Sequence, residues 1–206
     1  MNSKFIFSLL LYVGFVFAQE QQPWEKPTVE GFGLYDGKLD YTEGFGAYMD
    51  LNLRPGTKNF DNGGGSHDYN TIFLRDIYGV ENQVYDPFQR LQEHNENVLK
   101  AVADHSFDTA TSNSVLNVID RPSFRLGHIF LSCNALKDFG VAYFKIWEGD
   151  GSSIDQFLSY GYQANRLTKT FQEDVEKIFD KGNVVTDFKR HLIIAYKNRG
   201  CTKPKA

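Results

Sequence analysis

The chain has 206 residues, enough for one well-packed domain and hardly enough for two. Its 22 basic and 26 acidic residues give a net charge of −4, which provides no global attraction to nucleic acid or to an anionic membrane. A hydrophobic fraction of 41% with 15% aromatic residues excludes a disordered chain and indicates a globular one.

The beginning of the chain has the pattern of a secretory signal peptide. Lys4 supplies a positive charge, and residues 5–17 form an apolar stretch with only mild interruptions. This stretch is shorter than the ~20 residues that a membrane-spanning helix needs. Val16 and Ala18 are small residues in the positions that a cleavage site requires. We therefore predict a signal peptide at residues 1–18, and a secreted or periplasmic protein with no stable membrane span after cleavage.

Two alternatives to this prediction stay open at the level of the sequence. The apolar stretch is also compatible with an uncleaved anchor or a buried helix. A mis-assigned start codon is the other alternative, because the domain core begins near Met49, and the protein would then be cytoplasmic. Residues 19–48 show no strand or helix periodicity, and we predict an irregular N-terminal arm at residues 19–55.

Strand and helix patterns alternate from residue 56 to residue 200 and predict a single α/β domain, followed by a basic tail at 201–206. The last two strands have no helix between them, so we expect them to pair antiparallel at an edge. The fold class is thus a doubly wound, mostly parallel sheet with helices on both faces and an antiparallel C-terminal edge strand. The predicted strands lie at 58–61, 83–86, 109–112, 141–147, 184–188 and 191–196, and the predicted helices at about 68–78, 91–103, 122–136 and 162–179.

Cysteine and histidine usage gives little chemistry. Cys133 and Cys201 would be able to pair in an oxidising compartment, but their separation in sequence does not say whether they meet. Cys133 lies in an apolar helical pattern, which favours an inert buried thiol. The histidines have no metal-ligand spacing, so no metal site is predicted.

A glycine-rich turn between the first strand and the first helix is the most informative feature. Asp61 is followed by Asn62 and by Gly63, Gly64 and Gly65. Glycines let the backbone turn sharply and approach a ligand closely, and the helix that follows offers free N–H groups. An ordinary strand-to-helix turn is the alternative. A phosphate loop is disfavoured because no Gly-Lys-Ser/Thr sequence follows.

The second feature is Asp86, which ends the next predicted strand. Ligands of open α/β sheets bind at the carboxyl ends of strands, and an acid at about this spacing from the glycines can accept bonds from both hydroxyls of a ribose. The alternative is that Asp86 and Pro87 only begin a turn or cap the next helix.

These features resemble the class I S-adenosylmethionine-dependent methyltransferases, which have a Rossmann-like fold. Residues 60–65 resemble the first motif of that family, an acid followed by a glycine-rich turn, and residues 84–88 resemble the second. Residues 107–119 are similar to the fourth strand and the turn after it, and residues 135–144 to the segment that leads into strand five. The resemblance covers about residues 56–197.

The resemblance implies roles for individual residues around bound S-adenosylmethionine. Gly63, Gly64 and Gly65 would lie against its methionine part, Asp61 would help to bind the amino-acid moiety, and Asp86 would hold the ribose. Asn113, with Ser112 and Ser114, would face the sulfonium and the methyl acceptor. Methyl transfer of this kind depends mainly on proximity and orientation, so no protein nucleophile or metal is implied.

The chain also departs from the family pattern. Ser66 and His67 follow three consecutive glycines, where the family has alternating ones. The family's usual third strand, which contributes to the adenine site, is expected to be absent or very short. Asn113 and Ser114 do not form the signature of nucleic-acid amino-methyltransferases, so no nucleic-acid substrate is assigned.

Two further groups are candidates on the acceptor side. Lys145 and Trp147 lie on one face at the end of a predicted strand, followed by Glu148. Simple packing is the favoured reading of Trp147. Gln163 and Arg166 would reach the cleft from a helix, although a solvated helix face is the favoured reading.

We therefore expect a methyltransferase with an unidentified, small-molecule acceptor. The alternative is a secreted, non-catalytic binding module on the same fold, since S-adenosylmethionine is made in the cytosol and fold does not fix function. A dinucleotide-dependent oxidoreductase is disfavoured, because the glycines do not fit G-x-G-x-x-G.

Overall fold

The computed structural model describes Tyr48, Leu51, residues 53–158 and residues 161–204. The predicted signal peptide, Met49, most of the predicted arm and the last two residues of the basic tail lie outside the described residues. In the described part, no helix is long and apolar enough to cross a membrane.

The described residues form alternating strands and helices. The strands are β1 Lys58–Asn62, β2 Glu81–Tyr85, β3 Phe107–Asn113, β4 Leu136–Lys145, β5 Gln156–Leu158, β6 Gly161–Gln163, β7 Val184–Asp187 and β8 Leu192–Tyr196. The α-helices are α1 Tyr69–Tyr78, α2 Gln92–Ala103, α3 Pro122–Ala135 and α4 Thr168–Phe179. Two short 3-10 helices lie at Leu116–Val118 and Lys181–Asn183.

Six of the strands form one sheet in the order β2-β1-β3-β4-β8-β7. Strands β2, β1, β3 and β4 are mutually parallel, whereas β8 is antiparallel to both β4 and β7. The predicted mostly parallel sheet with an antiparallel C-terminal pair is therefore confirmed. Strand β8 is the antiparallel member, and β7 lies outside it at the edge.

Alternate residues of each strand face two different layers. Phe60, Ala110 and Phe144 belong to the larger core, where α2, α3 and α4 pack on one face of the sheet. Tyr143 belongs to a smaller core on the other face, together with Leu74 of α1. The helices therefore cover both faces, as the sequence predicts.

The family's usual third strand, which the sequence predicts to be absent or very short, does not occur among the described residues. Helix α2 ends at Ala103 and β3 begins at Phe107, which leaves room for a turn only. Strand β2 consequently forms the edge of the sheet at that side.

The predicted long helix at 162–179 begins too early. Residues 161–163 instead pair with residues 156–158 in the β5-β6 hairpin, and α4 begins at Thr168. The Ala164 N–H donates to the Asn117 carbonyl at 2.7 Å, and Leu167 is extended. Contacts with the loop after β3 thus override the local helical pattern.

The prediction of an inert thiol at Cys133 is wrong, because Cys133 and Cys201 form a disulfide. Cys133 is fully buried on α3, as the apolar pattern predicts, but this pattern does not distinguish a buried thiol from a buried disulfide. The chain after β8 turns back over the helical layer, and the Thr202 N–H donates to the Ile178 carbonyl at 2.9 Å. This return, which leaves no local signal in the sequence, brings Cys201 to α3.

Candidate functional site

Four neighbouring parallel strands end on the same side of the sheet, and the segments that follow them meet there. The carboxyl ends of β2, β1, β3 and β4 lead directly into Asp86, the glycine turn, Ser114 and Ile146. In open α/β sheets this edge is where ligands bind. The sheet order therefore brings together the segments that the sequence singled out separately.

The three glycines of the turn differ in what a side chain at each position would contact. Gly63 has a φ of +84°, and a Cβ there would lie 2.6 Å from Val115 Cγ2. A Cβ on Gly64 would lie 2.5 Å from Asp61 Oδ2. Gly65 has a φ of +76°, but a Cβ there would have no heavy atom of the described residues within 4 Å. The first two glycines are thus needed for close packing, while Gly65 faces open space.

The Asp86 carboxylate joins the glycine turn to the turn after β2. Its Oδ2 accepts from the Gly65 N–H at 3.0 Å, and its Oδ1 accepts from the Phe88 and Gln89 N–H groups at 3.0 Å each. These bonds confirm the turn-capping alternative as one role of Asp86. An ionised carboxylate has about four lone-pair positions, so one position on Oδ2 stays free for a ligand.

Arg90 is a site residue that the sequence reasoning missed. Its Nε donates to the Gly65 carbonyl at 2.7 Å, and one Nη donates to the His67 carbonyl at 3.0 Å. The other Nη pairs with Asp68 at 2.7 Å. Arg90 thus fixes the backbone from Gly65 to Asp68, immediately after the glycine turn. The only signal in the sequence is an arginine shortly after the second motif.

Asp61 is buried beneath the glycine turn with 1% of its surface exposed. Its Oδ2 accepts from the Tyr48 hydroxyl at 2.6 Å, and its Oδ1 accepts from the Thr111 hydroxyl at 3.0 Å. Burial raises the pKa of Asp61, although these hydrogen bonds oppose the rise. Burial and the Asp61 charge likewise raise the pKa of Tyr48, so the proton stays on the phenol.

A ladder of polar side chains continues below Asp61 on the same face of the sheet. The Asn59 amide donates to Asn82 at 2.7 Å and to Thr111 at 2.8 Å, and Thr109 donates to Asn59 at 2.7 Å. The Asn82 amide donates in turn to Thr71 of α1 at 3.0 Å. These bonds hold β1, β2, β3 and α1 in register, because unsatisfied polar groups are costly to bury.

Residues 112–114, assigned together from the sequence, face different surroundings. The Ser112 hydroxyl lies 2.8 Å from His128 Nε2 of α3, on the face of the sheet away from Asp61. Burial lowers the pKa of His128 to about 3. Ser114 has a φ of +56° and donates its N–H to the Lys145 carbonyl at 2.9 Å.

Asn113 has the one feature in this segment that suggests a ligand. Its side-chain Nδ2 is buried and has no hydrogen-bond partner among the described residues. Such an atom normally finds a partner, and Asn113 ends β3 directly beside β1. The Asn113 side chain does lie close enough to the Tyr48 hydroxyl for a loose hydrogen bond, which lowers the pKa of that phenol in opposition to burial, so the amide lacks only a well-formed partner.

The acceptor-side candidates at the end of β4 have different surroundings, since Lys145 is bonded to a neighbouring turn and Trp147 is exposed. The Lys145 ammonium donates to the Arg190 carbonyl at 2.5 Å, which ties it to the turn between β7 and β8. Trp147 is 59% exposed, so the prediction of simple packing is wrong for this residue. Glu148, the residue after Trp147, accepts hydrogen bonds from Thr168 at the start of α4 and from His191.

Gln163 and Arg166 precede α4 instead of lying on it, so the reading of both as a solvated helix face is wrong. Gln163 is 5% exposed, accepts from the Asn117 amide at 3.3 Å and donates to the Ala164 carbonyl at 2.8 Å. Arg166 pairs with Asp155. Gln163 therefore holds β6 against the loop after β3, whereas Arg166 joins the segment after β6 to the residue before β5. In the described part of the chain, no three His, Cys, Asp or Glu residues form a group that could hold a metal ion.

Comparisons with known proteins identify the fold. No protein-family model and no curated protein matches the sequence. Among solved structures, the chain is similar to the Burkholderia thailandensis 1,6-didemethyltoxoflavin-N1-methyltransferase, which was solved with 1,6-didemethyltoxoflavin and S-adenosylhomocysteine bound. The TM-score is 0.51 at 14% identity, over 70% of this chain and 72% of that one.

A second similar structure is the sugar N-methyltransferase KedS8 from Streptoalloteichus sp. ATCC 53650. Its TM-score is 0.47 at 9% identity, over 69% of this chain and 81% of that one. Together with the strand order, the first similarity shows that this chain has the Rossmann-like fold of the class I S-adenosylmethionine-dependent methyltransferases.

Proposed function

We propose that this protein is an S-adenosylmethionine-dependent methyltransferase that acts on an unidentified small-molecule acceptor. One observation carries the proposal. Three adjacent strands, in the order β2-β1-β3, end in an acid, a glycine turn and an asparagine, which are Asp86, Gly63–Gly65 and Asn113. Because these strand ends are adjacent, the three groups would contact the ribose, the amino-acid moiety and the methyl-bearing sulfonium of one extended cofactor.

The residues present fit this cofactor on three counts. Among the described residues, nothing covers Gly65, one acceptor position of Asp86 Oδ2 is unused, and Asn113 Nδ2 is buried without a well-formed hydrogen bond. Asp86 would accept bonds from the ribose hydroxyls, and Asn113 would donate at the acceptor side. Asp61 would attract the ammonium of the amino-acid moiety from beneath the turn. The bound cofactor supplies an electrophilic methyl group.

A matched pair of glycine variants tests the position of the cofactor. Gly65 and Gly56 have nearly the same φ, +76° and +78°, and an added Cβ meets no heavy atom within 4 Å at either position. We expect both Gly65→Ala and Gly56→Ala to lose ~1–2 kcal/mol of unfolding free energy, because alanine is strained at positive φ. Only Gly65→Ala should weaken binding of S-adenosylhomocysteine, by about tenfold or more (~1.4 kcal/mol).

The measurement is calorimetric titration of residues 19–206 with S-adenosylhomocysteine, with urea unfolding of each variant in parallel. Equal affinity in Gly65→Ala and Gly56→Ala would refute the placement of the cofactor over Gly65. No binding by folded wild-type protein would refute the methyltransferase proposal itself.

A secreted, non-catalytic binding module is the second candidate function. The disulfide between Cys133 and Cys201 favours it, because such bonds persist in oxidising compartments, whereas S-adenosylmethionine is made in the cytosol. The same disulfide supports the proposal that the protein enters the secretory pathway or the periplasm. Absence of S-adenosylhomocysteine binding, with the fold intact, would favour this second function.

Mass spectrometry of the mature N-terminus tests the proposed localisation. A chain that begins at Gln19 would support export. A chain that begins near Met49 would contradict it and support a cytoplasmic protein.

A further inference from the structure

We propose that His191 is the general base for the methyl acceptor, positioned by Glu148, and that the acceptor is a small aromatic molecule with an ionisable hydroxyl group. This inference rests on the proposed methyltransferase function and names the chemistry of its second substrate.

His191 lies at the same edge of the sheet as the candidate cofactor site. It directly precedes β8, where Leu192 pairs with Lys145 of β4, and Lys145 pairs with Asn113 of β3. The His191 carbonyl also accepts from the Ile146 N–H at 2.9 Å, which fixes the turn against the end of β4. Strands are spaced ~4.8 Å apart, so the backbone of His191 lies two strands, about 10 Å, from that of Asn113. A small acceptor molecule spans this distance.

The carboxylate of Glu148 holds the imidazole in one orientation. Glu148 Oε1 lies 3.1 Å from His191 Nδ1, and it accepts from the Thr168 N–H and hydroxyl at 2.6 Å each. Burial raises the pKa of Glu148, but the bonds from Thr168 and His191 outweigh it and lower the pKa. An ionised carboxylate only accepts, so His191 Nδ1 carries the proton of this bond and Nε2 is the ring nitrogen left to face a substrate.

The backbone at His191 is constrained as well. Its φ is +50°, in the left-handed region that few residues other than glycine and asparagine adopt. The Asp187 side chain accepts from the N–H groups of Lys189 and Arg190 at 3.1 Å each, which closes the turn before His191. The imidazole is nevertheless 46% exposed, so a substrate can reach it.

Two exposed aromatic rings lie on the loops that meet at this pair. Trp147, which is 59% exposed, precedes Glu148, and Phe188, which is 57% exposed, lies in the turn before His191. Exposed rings of this kind stack on a planar aromatic partner. An aromatic hydroxyl compound combines a flat face for these rings with a proton for the base.

The proton transfer is balanced without a further reactant. The O–H bond of the acceptor breaks, its electron pair stays on oxygen, and the proton forms an N–H bond at His191 Nε2. The products are a phenolate and an imidazolium, which Glu148 stabilises. Among the described residues, the charged groups near His191 include Glu148, the Lys145 ammonium at the end of β4 and the exposed Lys189 of the turn. Asp187 and Arg190 of the same turn pair with each other at 2.9 Å.

The test uses 4-nitrophenol, whose phenolate has its own visible absorption band. Wild-type protein saturated with S-adenosylhomocysteine is titrated with 4-nitrophenol at a pH where the free compound is mostly protonated. His191→Asn is the decisive variant, because asparagine tolerates the positive φ. Glu148→Gln keeps the shape of the positioning residue, and Lys189→Gln changes the charge of the same turn on an exposed side chain outside the pair.

We expect wild type and Lys189→Gln to bind the compound as phenolate. His191→Asn should reduce the bound phenolate by about tenfold or more, since a nearby cation lowers a phenol pKa by about one unit or more. Glu148→Gln should give an intermediate loss. Undiminished phenolate in His191→Asn, or no bound 4-nitrophenol on the saturated wild type, would overturn the inference. Wild-type protein that binds no S-adenosylhomocysteine would instead refute the proposed function.

Discussion

Loss of the disulfide between Cys133 and Cys201 should lower the unfolding free energy substantially. The bond closes a loop of 68 residues between α3 and the segment after β8. In the chain-entropy model, opening a loop of this length frees denatured-state entropy worth about 4 kcal/mol at 25 °C. A domain of this size is stable by only ~5–15 kcal/mol, so the loss is a large fraction of the total.

The assay is urea unfolding of wild type and Cys201→Ser under oxidising and reducing conditions. Oxidised wild type should have the highest midpoint, and reduced wild type should match Cys201→Ser. The slope of the transition should also rise when the bond is lost, because the denatured chain becomes less compact. Cys201→Ser is preferable to a change at Cys133, which is fully buried on α3 and would leave a packing defect there.

A midpoint for Cys201→Ser equal to that of oxidised wild type would refute this reasoning. A shift between oxidised and reduced Cys201→Ser would also contradict it, because that variant has no bond to break.

Three further predictions concern single contacts. Burial lowers the pKa of His128 to about 3, so the unfolded chain binds more protons below its own pKa of ~6.5. The contribution of His128 to stability is therefore full above that pH and is lost as the pH falls toward about 3. The unfolding free energy from urea titration should be ~2 kcal/mol lower at pH 5 than at pH 8, and His128→Asn should remove this difference. The same pH dependence in His128→Asn and in wild type would contradict the reasoning. Gly64→Ala should cost ~1–3 kcal/mol, since its Cβ would lie 2.5 Å from Asp61 Oδ2, while Gly200→Ala, whose Cβ meets nothing within 4 Å, should be neutral in the same assay. Tyr48→Phe removes a 2.6 Å bond to Asp61 and should cost ~1.5–3 kcal/mol in thermal or urea unfolding, so wild-type stability would exclude that bond as a support of the site.

Features of this protein that depend on local patterns could be predicted from the sequence. Glycines after β1 and an acid after β2 identify the turn and the strand ends, because positive φ and close packing select glycine within a few residues. The alternation of strands and helices predicted the sheet. The short interval between α2 and β3 predicted that the family's third strand would be absent or very short, and no such strand occurs among the described residues.

Contacts between residues far apart in the chain could not be predicted, because they depend on how the elements pack. Four such pairs meet only because the strand order and the returning C-terminal segment bring them together. They are Tyr48 with Asp61, Arg90 with Gly65, Glu148 with His191, and Cys133 with Cys201. The hairpin at 156–163 replaced a predicted helical turn for the same reason, since its contact with Asn117 lies outside any local window. Periodicity reports which face of an element is buried, whereas partners across the fold are set by how the elements pack.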